Sequence, residues 1–391
     1  MSKRVAILGS TGSIGCSTLD VLRHLGPPYR AAGLAANRQV EKLAAQAKEF
    51  SPPMVALTDE SRLDELKELL GPQRPKIFSG IGGLVDLARH DDVDIVVAAV
   101  VGAAGLPAAL GAVRAGKTLA LANKEALVVA GCLLIPEARK RGVPVLPVDS
   151  EHSAIFQALA SGRAAEVKRI ILTASGGPFR RASLETIHSA TLADALNHPT
   201  WRMGNKITID SATMFNKALE LIEACWLFDL RPDQIQIVIH PESVIHSMVE
   251  FIDGSVIAQL SPPDMRTPIQ YALTYPQRAP GCSRRMDWTQ IHALHFEPPD
   301  FQRFPALKLA YEVAEAGGTA GAVLNAANEV AVAAFIDGKI AFGEICGIVE
   351  LTISRHRIQK DPALDDLLQA DSWARHTARG LISSRPCAPL A

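Results

Sequence analysis

Over the first 150 residues, short strands that are apolar along their whole length alternate with helical stretches. That alternation constrains the fold more than any other feature. Lys3–Leu8, 31–36, Met54–Leu57, 95–101, 118–122 and 143–148 read as strands, while Ser13–Leu25, Val40–Phe50 and 59–70 carry helical patterns. A strand that is apolar on both faces needs a layer of helices on each side. The reading is therefore a doubly wound α/β unit with a parallel sheet.

Beyond residue 150 the pattern changes. Strands are expected at 167–173, Ile235–Ile239, 247–252 and Val256–Leu260, the last two joined by Asp253-Gly254, a hairpin signal that implies antiparallel pairing. This second segment, 151–274, is α+β. Residues 275–300, with Pro276, Pro280, Gly281, Pro298 and Pro299, read as a linker. The rest, 301–391, is helical in pattern at Ala306–Ala316, Ala320–Ile336 and 342–356, ending in a tail from 378 with no predicted structure. Three divisions fit 391 residues at roughly 150 per domain.

Composition narrows the function. Lys and Arg number 40 against 41 Asp and Glu, a net charge of −1, and aromatic residues make up 5%. Neither balance favours a nucleic-acid partner or an anionic membrane surface. The uncharged run 95–113 approaches the length of a membrane span, but it contains Gly102, Gly105, Pro107 and Gly111 and reads as strand, turn and helix. Six scattered cysteines without a CxxC pair suggest a reducing compartment. The N-terminus carries neither a signal-peptide core nor an Arg/Ser-rich transit segment. A cytoplasmic chain is expected, or a plastid protein whose transit peptide has been removed.

The first chemical signal is Gly9-Ser10-Thr11-Gly12-Ser13-Ile14-Gly15, placed between the first strand and the first helix. A glycine turn at that point presents backbone N–H groups and a helix N-terminus to a pyrophosphate. After the second strand comes Asn37-Arg38-Gln39, with no carboxylate to bind a ribose 2′-hydroxyl. Arg38 is suited to a 2′-phosphate, which favours NADP over NAD, although a solvated surface arginine is the plainer reading. Lys124, in Asn123-Lys124-Glu125, follows a strand end, where ligands of such sheets bind.

Asp149 and Glu151 follow another strand end. Two apart on a strand, they would converge on one side, and adjacent carboxylates call for a proton or a hard cation between them. Capping of the following helix is the alternative. Downstream, Phe215, Leu219, Ile222 and Trp226 form an apolar helical stripe, with Asn216, Lys217 and Glu220 on a neighbouring face. That face could supply a further metal oxygen and phosphate donors, or be an ordinary solvated one. Ser175-Gly176-Gly177-Pro178 offers hydroxyl and backbone donors after a strand, and His198 sits in a Pro-containing segment that reads as a mobile loop. His240 and His246 read as structural, and Cys225 as core.

Together these segments resemble the 1-deoxy-D-xylulose 5-phosphate reductoisomerase family. The resemblance is carried by GSTGSIG (9–15), LANKEAL (121–127), VDSEHSAIFQ (148–157), SGGPFR (175–180), HPTWRMGNKITIDSATMFNKALELIEA (198–224), HPESVIHSMV (240–249) and LNAANEVAVAAF (324–335). It spans nearly the whole chain.

The resemblance implies an N-terminal Rossmann-like NADPH domain (1–150), a catalytic and dimerisation domain (151–274) with a lid near 175–205, a linker and a C-terminal helical domain, in a homodimer. It implies rearrangement of a deoxyxylulose phosphate skeleton to 2-C-methylerythrose 4-phosphate, then reduction by NADPH to 2-C-methyl-D-erythritol 4-phosphate. Asp149, Glu151 and Glu220 would ligate a divalent ion (Mn²⁺, Mg²⁺ or Co²⁺). Lys124, Ser150, Ser175, His198, Ser211, Asn216 and Lys217 would contact substrate, with Glu151 and Glu220 beside them. Thr11, Gly12, Ser13, Ile14, Asn37, Arg38, Gln39, Asn123, Glu125 and Gly204 fall at NADPH positions, and Trp201 and Met203 in the lid.

One position departs from the family pattern. Asn37 stands where the family usually has glycine, and Asn is the next residue most tolerant of positive φ. Two enzyme rivals fit less well. A sugar dehydrogenase would carry Glu-Lys-Pro near Lys124, and a semialdehyde dehydrogenase needs a reactive cysteine. An NADP-sensing protein without catalysis would have no use for the three carboxylates.

Overall fold

Seven parallel strands form the first sheet of the computed structural model, which describes residues 3–72, 74–201, 203–291 and 293–384. They are β1 (Lys3–Leu8), β2 (Tyr29–Ala36), β3 (Met54–Leu57), β4 (Lys76–Ser79), β5 (Ile95–Ala98), β6 (Thr118–Leu121) and β7 (Val145–Pro147), in the order β4-β3-β2-β1-β5-β6-β7. Val5, Ile7, Leu34, Val55, Val96 and Leu119 along these strands are fully buried, as a sheet covered on both faces requires. The chain reverses strand order on either side of β1, so the crevice at the ends of β1 and β5 is where a doubly wound sheet binds its ligand.

Several expected boundaries shift, each for a local reason. The strand expected at 95–101 stops at Ala98, because the carbonyls of Val100 and Gly102 turn to accept the Asn123 side-chain amide. The 59–70 helix opens as a 3₁₀ turn, Glu60–Arg62, capped by Asp59 accepting from Ser61 N at 3.1 Å, before helix Leu63–Leu70. Strand β4 and helix Gly80–Arg89 were not expected. The first is a four-residue edge strand, and the second begins with three glycines that read as a loop. The uncharged run 95–113 resolves into β5, a 3₁₀ turn (Ala103–Gly105) and helix Leu106–Arg114. Among the described residues no helix is long and apolar enough to cross a membrane.

The first compact unit comprises 1–126, 134–153 and 264–285, so helix Arg266–Thr274 joins it, packing on helix Ser13–Leu25. The second comprises 127–133, 154–263 and 286–391. Its sheet runs β11-β10-β8-β9, with β8 (Val167–Ala174), β9 (Ile235–Ile239), β10 (Ile245–Phe251) and β11 (Val256–Leu260). The hairpin β10–β11 is antiparallel as expected, whereas β8 and β9 pair in parallel.

One core serves the second unit. Ile170, Leu172, Ile237 and Val249 of the sheet meet Phe215, Leu219 and Ile222 of helix Phe215–Phe228, and Leu324 and Ala331 of helix Ala320–Ile336. The segments 151–274 and 301–391 therefore share a hydrophobic interior. The tail is helical further than expected: helix Leu364–Ser383 buries Ala378 completely, and residues 385–391, with Cys387, lie outside the described residues.

Glycines set the close approaches in the first turn. A Cβ at Gly15 would lie 2.3 Å from the Gly9 carbonyl oxygen and 2.5 Å from Ser10 backbone carbon. A Cβ at Gly12 would meet only the Gly9 oxygen, at 3.4 Å. Gly15→Ala is therefore expected to lower the unfolding free energy by about 1–3 kcal/mol in urea titration, the cost of overpacking. Gly12→Ala should stay near wild type, and equal losses in the two variants would contradict this reading of the turn.

Candidate active site

The dinucleotide turn is built at the end of β1. Gly9 takes φ +87°, a conformation suited to glycine, and a Cβ there would sit 2.6 Å from the Ala99 carbonyl oxygen. Gly12 caps helix Ser13–Leu25 through its backbone, with Gly12 and Ser13 exposed, Ile14 half-buried and Thr11 buried beneath them. The first N–H groups of that helix therefore point out of the sheet edge with its positive dipole end.

At the end of β2, Asn37, Arg38 and Gln39 are all exposed. Arg38 Nε donates to Asp59 Oδ2 at 2.8 Å, and Asn37 Oδ1 accepts from Thr58 at 2.9 Å. Hydrogen bonds from Ser61, and then from Arg38, hold the Asp59 carboxyl below its usual range. Asp59 was missed in the sequence because it lies 21 residues from Arg38 and reads only as the start of the 59–70 helix. It fixes the guanidinium at the rim while leaving its outer edge to solvent.

At the end of β6, Asn123 caps helix Lys124–Arg141, accepting from Ala126 N at 2.7 Å while its amide donates to Val100 O and Gly102 O. This ties the ends of β5 and β6 together and sets Lys124 at the first helical position, with Glu125 buried beside it. Lys124 Nζ meets Asp149 Oδ2 at 2.5 Å, the two side chains being 7% and 12% exposed.

The expected strand geometry of Asp149 and Glu151 is corrected here. Strand β7 ends at Pro147, and the two carboxylates occupy the start of helix Ser150–Leu159, with Ser153 N bonding the Asp149 carbonyl at 2.8 Å. They share a helix N-terminus, whose positive end tolerates two acids, and the Ser150 hydroxyl donates to the Glu151 carboxylate. The capping alternative describes their place in the chain. It leaves their oxygen chemistry intact.

In the second unit, Ser175 follows β8 in a loop whose Gly176 and Gly177 take φ of +83° and +66°. A Cβ at Gly177 would stand 2.7 Å from the Ser211 carbonyl oxygen, so the glycine brings this loop onto helix Asn205–Thr213. His198 Nε2 then lies 3.1 Å from both the Ser175 and Ser211 hydroxyls. Its Nδ1 accepts from Thr200 N at 3.1 Å and Trp201 N at 2.9 Å. Two N–H donors on Nδ1 require that nitrogen to be bare, so neutral His198 carries its proton on Nε2. Burial also pushes the imidazole below its ordinary value.

Met214 links two helices in a left-handed conformation (φ +63°), the C-cap of Asn205–Thr213 and the N-cap of Phe215–Phe228. On the polar face of the second helix Asn216 Nδ2 donates to Glu220 Oε1 at 2.6 Å, and Lys217 pairs with Glu220 Oε2. Lys217 and Glu220 are 4% and 1% exposed, so the solvated-face reading fails.

Gly204 caps helix Asn205–Thr213 just after Trp201 and Met203, which are half-buried. His240 is fully buried and structural: its Nε2 accepts from Val244 N and Ile245 N while Nδ1 meets His295 O at 2.8 Å. His246 bonds Ser261 O at 3.1 Å. Burial raises the Cys225 thiol to about 12, which removes it as a nucleophile.

Comparison with known proteins shows the family. The 1-deoxy-D-xylulose 5-phosphate reductoisomerase family model matches residues 5–131, its C-terminal domain model 145–228, and the DXP reductoisomerase C-terminal domain model 260–377. The chain is 55% identical over 381 residues to the reductoisomerase of Pelodictyon phaeoclathratiforme, covering 97% of this chain and 100% of that one. It is 53% identical to that of Chlorobaculum tepidum, covering 97% and 100%.

Among solved structures, the Zymomonas mobilis enzyme in complex with NADPH superposes with a TM-score of 0.92 at 46% identity, covering 98% of this chain and 100% of that one. A DOX-P reductoisomerase in complex with NADPH, fosmidomycin and magnesium gives 0.92 at 43%, covering 97% and 98%. On matches of this length and identity, the chain belongs to the 1-deoxy-D-xylulose 5-phosphate reductoisomerase family.

Proposed function

We propose that this chain converts 1-deoxy-D-xylulose 5-phosphate to 2-C-methyl-D-erythritol 4-phosphate, using NADPH and a divalent metal ion, in the non-mevalonate supply of isoprenoid precursors. Membership of the family makes it an NADPH-dependent oxidoreductase. The observation that carries the reading is the pairing of buried lysines with buried carboxylates, Lys124 with Asp149 and Lys217 with Glu220. Buried charges of this kind cost several kcal/mol each unless paired, so a chain that keeps four of them has a use for them.

The donor set fits a hard cation. Asp149, Glu151 and Glu220 offer oxygen only, the ligand chemistry of Mg²⁺ and Mn²⁺. In this reading the three hold one ion, which supplies Lewis acidity toward the carbonyl and hydroxyl oxygens of the substrate. The remaining work belongs to side chains. Lys124 stabilises oxyanion charge during the carbon shift, and Ser150 orients the Glu151 carboxylate it already bonds. Ser175, Ser211, Asn216 and Lys217 anchor the phosphate, with His198 setting both serine hydroxyls, so that remote binding energy positions the reacting carbons. The backbone of 11–14, the Asn37-Arg38-Gln39 turn, Asn123, Glu125 and Gly204 serve NADPH, which supplies the hydride.

Trp201 and Met203 belong to a lid that keeps water from the aldehyde formed before reduction. The homodimer, the cytoplasmic location and the division into 1–150, 151–274, 275–300 and 301–391 are part of the same reading. The solved relatives with fosmidomycin support a small phosphate-like ligand in place of any polymer.

Turnover is followed as NADPH oxidation with 1-deoxy-D-xylulose 5-phosphate. Activity is expected with Mg²⁺ or Mn²⁺, abolition by EDTA, and a loss in Glu220→Gln exceeding the roughly 10–100-fold typical of outer-sphere changes. NADPH binding without turnover under any metal would overturn the assignment.

His198 adds a pH dependence to stability. Its folded pKa lies below the unfolded value of about 6.5, so the unfolded chain takes up the proton first. The stability that neutral His198 contributes is complete above that pH and is lost as pH falls through the lowered folded value. In urea titrations the gap between wild type and His198→Ala is expected to be larger at pH 8 than at pH 5; an equal gap would contradict the lowering of this imidazole by burial.

A further inference from the structure

The motif Leu324-Asn325-Ala326-Ala327-Asn328, deep in helix Ala320–Ile336, has no part in the site described above, yet Asn328 is fully buried. Its amide Nδ2 donates to Asp210 Oδ1 at 2.8 Å, across 118 residues of sequence. Asp210 is itself 2% exposed and receives Lys206 Nζ at 2.6 Å on its other oxygen. The Asn328 amide oxygen has no partner among the described residues. The orientation is forced, since turning the amide over would set its oxygen against a carboxylate. A buried amide with half its capacity unused is a poor packing choice, and a leucine of similar volume would fill the place without the penalty. The side chain is there for Asp210.

Asp210 precedes Ser211 in helix Asn205–Thr213. Adjacent helical residues are about 100° apart around the axis, so whatever fixes the azimuth of Asp210 fixes that of Ser211. The N-terminus of this helix has no side-chain cap, and its C-terminus breaks at the left-handed Met214. The bond to Asn328 therefore pins the roll of a short helix to the long, fully packed helix Ala320–Ile336, while Lys206 balances the carboxylate charge from within the short helix itself.

We infer that Asn328 is a positioning residue for the phosphate end of the substrate: acting through Asp210, it sets the roll of helix Asn205–Thr213 and with it the Ser211 hydroxyl. The inference rests on the reading of Ser211 as a phosphate contact.

The test compares Asn328→Leu with Ser211→Ala in the full-length chain. The readouts are KM for 1-deoxy-D-xylulose 5-phosphate, KM for NADPH, kcat, and the Ki of inorganic phosphate as a competitive inhibitor. In Asn328→Leu, substrate KM and phosphate Ki are expected to rise together by about tenfold, the size of one lost hydrogen bond to a charged group. NADPH KM and kcat should stay within about twofold, since a displaced anchor acts on binding before chemistry.

Asn328→Asp changes one atom and sets a second carboxyl against Asp210; at pH 8 the same phosphate-selective loss is expected, so the test stands if the leucine variant does not fold. An unchanged phosphate Ki in a folded variant, or an equal loss for NADPH, overturns the inference. A Ser211→Ala variant with unchanged phosphate Ki would instead remove the phosphate reading beneath it.

Discussion

Two ion pairs carry the architecture of the candidate site, Lys124 with Asp149 and Lys217 with Glu220. Each ammonium offsets part of the cost of burying its carboxylate, and each carboxylate part of the cost of burying its lysine. Each pair lies within one compact unit. Pairs of this kind add little net stability compared with a well-packed apolar pair of the same volume. What they give is chemistry held ready: oxygens for a hard cation, and ammonium groups for the anionic oxygens of a sugar phosphate.

The rest of the fold places those four side chains. Lys124 reaches its carboxylate because Asn123 caps the helix behind it and is itself held by the carbonyls where β5 stops short. Glu220 and Lys217 face the same way because they lie three apart on one helix, which starts at the left-handed Met214. Gly177 lets the Ser175 loop approach the backbone of Ser211 more closely than any Cβ would allow. Close approach and left-handed backbone also occur elsewhere, at Gly318 and Ser51 for example, so at Gly177 and Met214 what matters is what they position.

Much of this was legible in the sequence. The doubly wound sheet followed from strands apolar on both faces, the dinucleotide turn from glycines at one particular junction, and the β10–β11 hairpin from Asp253-Gly254. What stayed hidden depended on partners distant in the chain. The lysine–carboxylate pairs could not be told from a solvated face, because exposure is a property of packing. Asp59 read only as the start of a helix until the end of β3 brought it to Arg38. Strand periodicity gave the wrong geometry for Asp149 and Glu151, since β7 ends two residues before the first of them. Edge strand β4 was too short and too polar to register, and Asn328, inside the 324–335 motif, gave no sign of a partner 118 residues away.

The proposed reading has Asp149, Glu151 and Glu220 serve one divalent ion, with Lys124 and Lys217 balancing Asp149 and Glu220 before it binds. Equilibrium Mn²⁺ binding to the protein without substrate, followed by paramagnetic resonance of the free ion, tests it most directly. One ion per chain is expected, with affinity lost in Asp149→Asn and in Glu220→Gln. Binding of Mn²⁺ that is indifferent to both substitutions would contradict the account.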